Sequence, residues 1–228
     1  MEPILIADLP IDTAAPANDA PPMDLPPNAV LNADGTVTLA LEWPCQVEMR
    51  KAGTSEVAAT EPYATLTLRR LTGADVRAMI AAKDSSEMAL ALSSGLGLGK
   101  LRRLQTVLDA RDEADANAVI GEFLGAGGQG LPPRATEADG VITLPMLYPA
   151  ADEDGTIHDQ MVFKRMTAVM RKQAVAAKSI LDWAVAAATG LTQKQASALV
   201  DAMDGADAVA VNQVVLFLFG SGPRTGRP

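Results

Sequence analysis

ADGTVTLALEWP at residues 33–44 and ADGVITLPMLYP at residues 138–149 are two versions of one twelve-residue segment. Six of the twelve positions are identical, and Trp43 of the first segment is matched by Tyr148 in the second. Each segment opens with an Asp-Gly turn and continues with alternating apolar residues, which is typical of a half-buried β-strand. Because an internal repeat is the sequence signature of a chain built from similar units, the pair predicts one unit that occurs twice.

The similarity continues downstream without a gap. Residues 66–127 match residues 161–222 at 16 of 62 positions, with a shift of 95 instead of 105. The change of shift means that the first copy carries ten extra residues, within the stretch 45–65. We therefore interpret the chain as a tandem duplication, with repeat 1 at 33–127 and repeat 2 at 138–222.

The segments outside the two repeats are assigned from their composition. Residues 1–32 contain seven prolines, five acids and no base, and proline at that density predicts a disordered arm because it removes N–H donors and fixes φ. The apolar stretch PILIADLPI (3–11) within it is either part of a frayed terminus or a docking peptide for a partner's groove or sheet edge. Residues 128–137 are predicted to be a linker and residues 223–228 a tail.

Each repeat is predicted to be α+β and mostly helical, with a β-hairpin followed by a three-helix unit. The second hairpin strand is expected at 64–69 in repeat 1 and at 158–164 in repeat 2. The helices are expected at 74–93, 98–109 and 112–124, and at 168–188, 192–203 and 206–219. The last helix of each repeat has apolar residues at i, i+3, i+4, i+7 and i+8, which predicts one buried stripe. Asp112 and Asp207 are expected to be the N-caps of these last helices.

The glycine-rich stretch SSGLGLGKLRRL (93–104) raises the question of a phosphate-binding loop. Such a loop follows a strand and needs Ser or Thr after its Lys, whereas Leu101 follows Lys100 and the preceding stretch has a helical pattern. Gly95 and its counterpart Gly190 are instead expected to end helices, with Thr192 as the N-cap of the next one. A connector between helices is therefore preferred, and phosphate binding is the alternative.

Composition argues against several function classes. The formal net charge of −9 disfavours nucleic acid as a partner, because phosphates attract a basic surface. Cys45 and His158 are the only residues of their kinds, too few for a zinc site, and we expect a buried Cys45 and a solvated His158. The acids at 152–154 are expected in an exposed turn. No catalytic, cofactor-binding or metal-binding residue is predicted, and no signal peptide or transmembrane segment is expected.

One difference between the repeats concerns a surface for a partner. Gly121 and Glu122 of repeat 1 are replaced by Leu216 and Phe217 in repeat 2, so the last helix ends in VVLFLF (214–219) and is apolar nearly all round. A helix of this kind must be covered, either by the other repeat or by another protein. The predicted partner-binding residues are Val214, Val215, Leu216, Phe217, Phe219 and Phe123.

The order of these features, present twice, resembles the phage tail assembly chaperones of Mu-like contractile-tailed phages. The segments that carry the resemblance are ITLPMLYP (142–149), LTLRRLTG (66–73), TGLTQKQASALVDAMDGAD (189–207) and GLGLGKLRRLQTVLDARD (95–112). It covers about 33–127 and 138–222, once each. Family members are shorter and have a single copy, so this chain departs from the family in having two.

The resemblance implies that the chain binds the tape-measure protein and keeps it soluble during tail assembly, in the cytoplasm of an infected or lysogenic host. It also implies that the chain is absent from the mature virion. The tail tube protein and a second copy of the chain are further partner candidates, and no membrane, cofactor or enzymatic activity is implied. Two alternatives remain, which are a structural tail or baseplate component and, with less support, a nucleotide-binding enzyme using Gly97–Lys100.

Overall fold

The computed structural model describes residues 22–51, 53–54, 56–125 and 130–219. Within these ranges the protein is α+β, with eight helices and two three-stranded antiparallel sheets. The strands are β1 (Ala29–Leu31), β2 (Val37–Arg50), β3 (Val57–Leu68), β4 (Thr136–Ala138), β5 (Val141–Ala151) and β6 (Ile157–Lys164). The helices are α1 (Gly73–Ala81), α2 (Ser85–Ser94), α3 (Leu98–Gln105), α4 (Ala110–Leu124), α5 (Ala168–Ala176), α6 (Ile180–Thr189), α7 (Gln193–Ala202) and α8 (Gly205–Leu218).

Three strands followed by four helices make up each half of the molecule. We call the described residues up to 125 the first half and those from 130 the second half. The strand order is β1-β2-β3 in the first half and β4-β5-β6 in the second. The sheets are therefore three-stranded, whereas a two-stranded hairpin was expected. The additional strand is short, lies in front of each Asp-Gly turn and pairs with the strand that follows the turn.

The short strand β1 corrects part of the prediction for the N-terminal arm. Ala29 pairs with Leu39 of β2, and the side chains of Met23 and Leu25 pack against the first core. Residues 22–32 are thus ordered by burial of apolar side chains, which the proline count obscured. Residues 1–21, most of the arm, lie outside the described residues, as does the predicted tail.

The same irregularity interrupts both long hairpins. Between Ala40 and Cys45, β2 advances by five positions while its partner β3 advances by only two. Between Pro145 and Ala150, β5 shows the same offset against β6. Pro44 and Pro149 lie inside these bulges, where a residue without an N–H group is tolerated. The extra residues of the first half, placed by the repeat within 45–65, lengthen β2 and β3 relative to β5 and β6.

The first predicted helix of each repeat is divided into two helices in the structure. The division follows α1 at 82–84 and α5 at 177–179, and the side chains of Asp84 and Ser179 cap the second helix. Asp84 accepts a hydrogen bond from the Glu87 N–H at 3.0 Å. The prediction of three helices was wrong because these two N-cap residues stand in a stretch that is otherwise favourable for helix.

Other helix ends confirm the sequence analysis. Gly95 and Gly190 are the C-caps of α2 and α6, with φ of 67° and 78° in the left-handed region that glycine occupies without a steric penalty. Thr192 caps α7 and forms a capping box with Gln195. The loop between α2 and α3 is accordingly a connector between helices.

Two apolar cores lie between the sheets and the helices, one in each half. The exception to this division is α1, whose Val76 is 2% exposed and belongs to the core of the second half. The segment that enters α1 lies against the start of α8, since the Gly73 N–H donates to the Met203 carbonyl at 2.8 Å and the Gly205 N–H donates to the Leu71 carbonyl at 2.7 Å. The two halves are thus joined by backbone hydrogen bonds as well as by apolar contact.

Charged groups surround this junction. The Arg70 guanidinium forms two hydrogen bonds with the Asp204 carboxylate, at 2.9 and 3.1 Å, and lies 4.5 Å from the centre of the Tyr148 ring. Bidentate pairing and stacking over an aromatic ring both suit the planar guanidinium. None of the described helices is long and apolar enough to cross a membrane.

Candidate functional site

The predicted partner-binding residues divide into a buried set and a surface set. Val214 and Val215 are fully buried in the second core, and Phe123 is 1% exposed in the first. These three side chains hold the last helices against the sheets and are not available at the surface. Sequence reasoning placed them correctly on the buried stripe but could not separate stripe positions from partner-facing ones where the whole segment is apolar.

The other three residues form the exposed end of α8. Leu216 is 46% exposed, and Phe217 and Phe219 are half-buried against the rim of the second core. A cavity of about 370 Å³ adjoins this end, between Phe217 and Leu218 on one side and β4, the start of β5 and residues 165–166 on the other. We call Leu216, Phe217 and Phe219 the terminal apolar surface.

The equivalent end of α4 has a different chemistry. Gly121 has no side chain and Glu122 accepts a hydrogen bond from the Asp24 N–H at 3.0 Å, so the N-terminal segment covers this end. Among the described residues, the first half therefore covers a surface whose equivalent in the second half is exposed at Leu216.

Two buried carboxylates explain the bulges and correct the capping prediction. Asp109 and Asp204 are the N-caps of α4 and α8, whereas Asp112 and Asp207 lie three residues further on and are fully buried. Asp207 accepts hydrogen bonds from the N–H groups of Leu147 and Tyr148, both at 2.9 Å.

Asp112 makes the same contacts in the first half, with the N–H groups of Glu42 at 2.8 Å and Trp43 at 3.3 Å. Each carboxylate thus pairs with bulge N–H groups that lack a partner in the sheet.

Asp207 differs from Asp112 in having a cation beside it. The Arg134 guanidinium lies 2.7 Å from the Asp207 carboxylate, and it is only 20% exposed. Burial raises the pKa of Asp207, while Arg134 and the two N–H groups oppose that rise. Both Asp pairs serve packing and capping, and the geometry gives them no shared cleft in which acid–base chemistry would take place.

We expect the Asp207 carboxyl carbon to titrate in an NMR experiment with a midpoint above the ordinary aspartate value of about 3.9. Because the folded-state pKa is raised, the folded protein binds this proton more readily than the unfolded chain. The contribution of Asp207 to the free energy of unfolding therefore falls as pH rises from its unfolded-state pKa through its folded-state pKa. Arg134→Gln should raise the midpoint further, since it removes an opposing charge. A midpoint below the ordinary value would contradict the dominance of burial.

The remaining candidates from the sequence have structural partners. Lys100 lies 2.5 Å from the Glu61 carboxylate and near the Tyr63 ring, so its charge is engaged within the fold. His158, expected to be solvated, is 16% exposed and lies 2.9 Å from Asp152 in the β5–β6 turn. Its hydrogen bond lowers the pKa of Asp152.

Cys45 is only half-buried, contrary to expectation, and burial raises the pKa of its thiol. Within the described ranges, no group of three or more His, Cys, Asp and Glu side chains could hold a metal ion. Comparison of this chain with family models, with curated proteins and with solved structures found no match.

Proposed function

We propose that this chain is a phage or prophage tail assembly chaperone that binds the tape-measure protein and keeps it soluble while the tail is built. It acts in the host cytoplasm and is absent from the mature virion. The motif order given above supports this family, and the pair of halves with equivalent bulges, buried aspartates and caps supports a duplicated family unit.

The observation that carries the proposal is the terminal apolar surface. Leu216 presents nearly half of its surface to solvent beside two half-buried phenylalanines and a cavity. Exposed apolar patches rimmed by polar groups mark sites for protein partners, and the apolar stripe of a long helical client would be removed from water there. The three side chains of this surface are apolar, as suits a client recognised by its apolar face, and the Arg171 guanidinium borders them 5.8 Å from the centre of the Phe219 ring.

The two halves are expected to contribute unequally. Glu122 occupies the position of Phe217 and already holds the N-terminal segment. One client site per chain follows, although the fold unit occurs twice.

The test is co-expression with a candidate tape-measure protein, a long helical protein from the same source as this chain, followed by size exclusion with light scattering. The wild-type chain should give a soluble complex with a client that is insoluble alone. Leu216→Asp should weaken the complex about tenfold or more, because it places a charge at the centre of the apolar contact.

Val107→Asp is the matched control. Val107 is 47% exposed, almost the same as Leu216, but it lies in the first half after α3. It should leave the complex unchanged. Equal effects of the two variants would contradict a client site on the terminal apolar surface. Finding the chain in purified particles would favour a structural tail component instead.

A further inference from the structure

Helix α5 occupies the same place in the second half as α1 in the first, yet the two helices have different surroundings. The α1 residue Val76 is buried in the core of the other half, and the equivalent α5 position is Arg171. The α5 side chains Val169 and Val175 are 64% and 70% exposed. Their counterparts in α1, Ala74 and Ile80, are exposed as well, so the difference from the junction surface of α1 lies at Arg171, which is exposed where Val76 is buried.

The region around α5 has an unusual charge pattern for an acidic chain. Residues 160–181 contain no Asp or Glu, and they contain five cations. These cations are Lys164, Arg165, Arg171, Lys172 and Lys178. We call residues 164–178 the basic face, since all five side chains are exposed.

The five cations form no ion pair with any residue that the structure describes, whereas three of the five corresponding positions in the first half hold arginines that do. Arg69, Arg70 and Arg77 pair with Asp75, Asp204 and Asp182, at 2.8 to 3.0 Å. Glu137 and Asp139 line the cavity beside Arg165 without forming an ion pair with it. Three arginines of the first half are thus paired, with one acid of their own half and two of the second half, whereas the basic face has no ion-paired acid among the described residues.

A second copy of this chain cannot cover the basic face in the way that the second half covers α1. Gly73, which meets the Val200 backbone at the junction, is replaced by Ala168, and a Cβ at position 73 would overlap the Val200 carbonyl oxygen. Arg171 would also have to be buried where Val76 is. The partner must instead carry negative charge together with apolar side chains, to match the cations and the exposed valines.

The chain carries such a segment outside the described residues. Residues 2–12, EPILIADLPID, contain three acids, no base and five Ile or Leu residues. We propose that residues 2–12 bind the basic face of the same chain. The docking-peptide interpretation of residues 3–11 thereby has a binding site within the same chain. This proposal does not rest on the proposed client.

The distances along the chain permit this contact. A Cβ at Gly205 would lie 3.2 Å from Leu124, so the start of α8 is close to the end of α4, where Asp24 is held. The other end of α8 is close to α5, because Arg171 lies 5.8 Å from the centre of the Phe219 ring. Fourteen helical residues span about 21 Å, and the ten residues from 12 to 22 reach about 33 Å when extended.

The experiment places a nitroxide label on Ala7→Cys in a Cys45→Ser background and records amide signals of the full chain. We expect the signals of residues 164–178 to lose at least half their intensity and to recover when the nitroxide is reduced. Salt at about 0.5 M should weaken the effect, since it screens the charges.

Charge reversal tests the basic face directly. Arg171→Glu with Lys172→Glu should restore the intensities, whereas Lys83→Glu with Lys194→Glu makes the same charge change at exposed sites elsewhere and should not. If the first pair perturbs folding, Asp8→Asn with Asp12→Asn gives the same test from the side of the arm.

Three results would overturn the proposal. The first is full intensity at 164–178 in the labelled chain at low salt. The second is loss of intensity in a mixture of labelled and isotope-enriched molecules, because a second copy would then supply the arm. The third is a shift of the 164–178 signals by a short oligonucleotide without any effect of the label, which would assign the basic face to nucleic acid.

Discussion

Asp207→Ala is expected to lower the free energy of unfolding by about 3–5 kcal/mol, the range for removing one partner of a buried ion pair. The substitution leaves the N–H groups of Leu147 and Tyr148 without an acceptor inside the protein and leaves Arg134 without its counter-ion. A loss of this size is a large fraction of the stability of an ordinary domain. Urea unfolding followed by circular dichroism gives the measurement.

Asp112→Ala separates the contribution of the hydrogen bonds from that of the ion pair. Asp112 accepts from two bulge N–H groups in the same way but has no arginine in an ion pair with it among the described residues. Its loss should be smaller, about 2–3 kcal/mol, because only unsatisfied N–H groups remain. Asp159→Ala changes an exposed carboxylate on β6 and should stay within about 0.5 kcal/mol of the wild type. A loss below about 1 kcal/mol for Asp207→Ala would mean that water replaces the carboxylate in the bulge.

The parts of the fold that sequence predicted well are those set by local chemistry. The alternation after each Asp-Gly turn lies in β2 and β5, and Gly95, Gly190 and Thr192 cap the helices expected of them. The buried stripe of the last helix is also present, with Val119 and Val214 fully buried. These features depend on a residue and its near neighbours, so a single sequence contains the necessary information.

The errors concern contacts between distant segments. Asp112 was predicted to be a cap because nothing near it in sequence indicates the β2 bulge. It accepts a hydrogen bond from the N–H group of Glu42 in that bulge, 70 residues away. The repeat itself held a usable signal, since Asp109 and Asp112 both recur at the same spacing and only one can be the cap. Placement of Val76 in the core of the other half was beyond sequence reasoning, because its counterpart Arg171 breaks the repeat at that position.

The candidate site was predicted only in part, because it too depends on contacts between segments that are distant in sequence. The apolar run 214–219 indicated that the last helix needs cover, but the split between buried Val214 and exposed Leu216 depends on how α8 is oriented against β5. The basic face could have been found from the absence of acids in 160–181, a signal that the overall negative charge obscured.

Gly73→Ala is expected to destabilise the protein by about 3 kcal/mol, the upper end of the range for overpacking a tight site. A Cβ at this position overlaps the Val200 carbonyl oxygen, which belongs to the backbone and cannot move away as a side chain would. The start of α1 must therefore shift, which breaks the hydrogen bond from the Gly73 N–H to Met203 and moves Val76 out of the second core. Gly205→Ala should act in the same direction, because its Cβ would lie 2.7 Å from the Leu71 carbonyl oxygen.

Gly121→Ala is the matched control for this steric explanation. Gly121 lies within α4 and a Cβ there meets nothing within 4 Å. Alanine should stabilise α4 by about 0.5–1 kcal/mol, because it has the higher helix propensity. Opposite signs for Gly73→Ala and Gly121→Ala in urea unfolding would tie the loss to the junction, since the two changes are chemically identical. If Gly73→Ala were neutral, the two halves would not be held together by close backbone contact at this point, and the burial of Val76 would then depend on apolar packing alone.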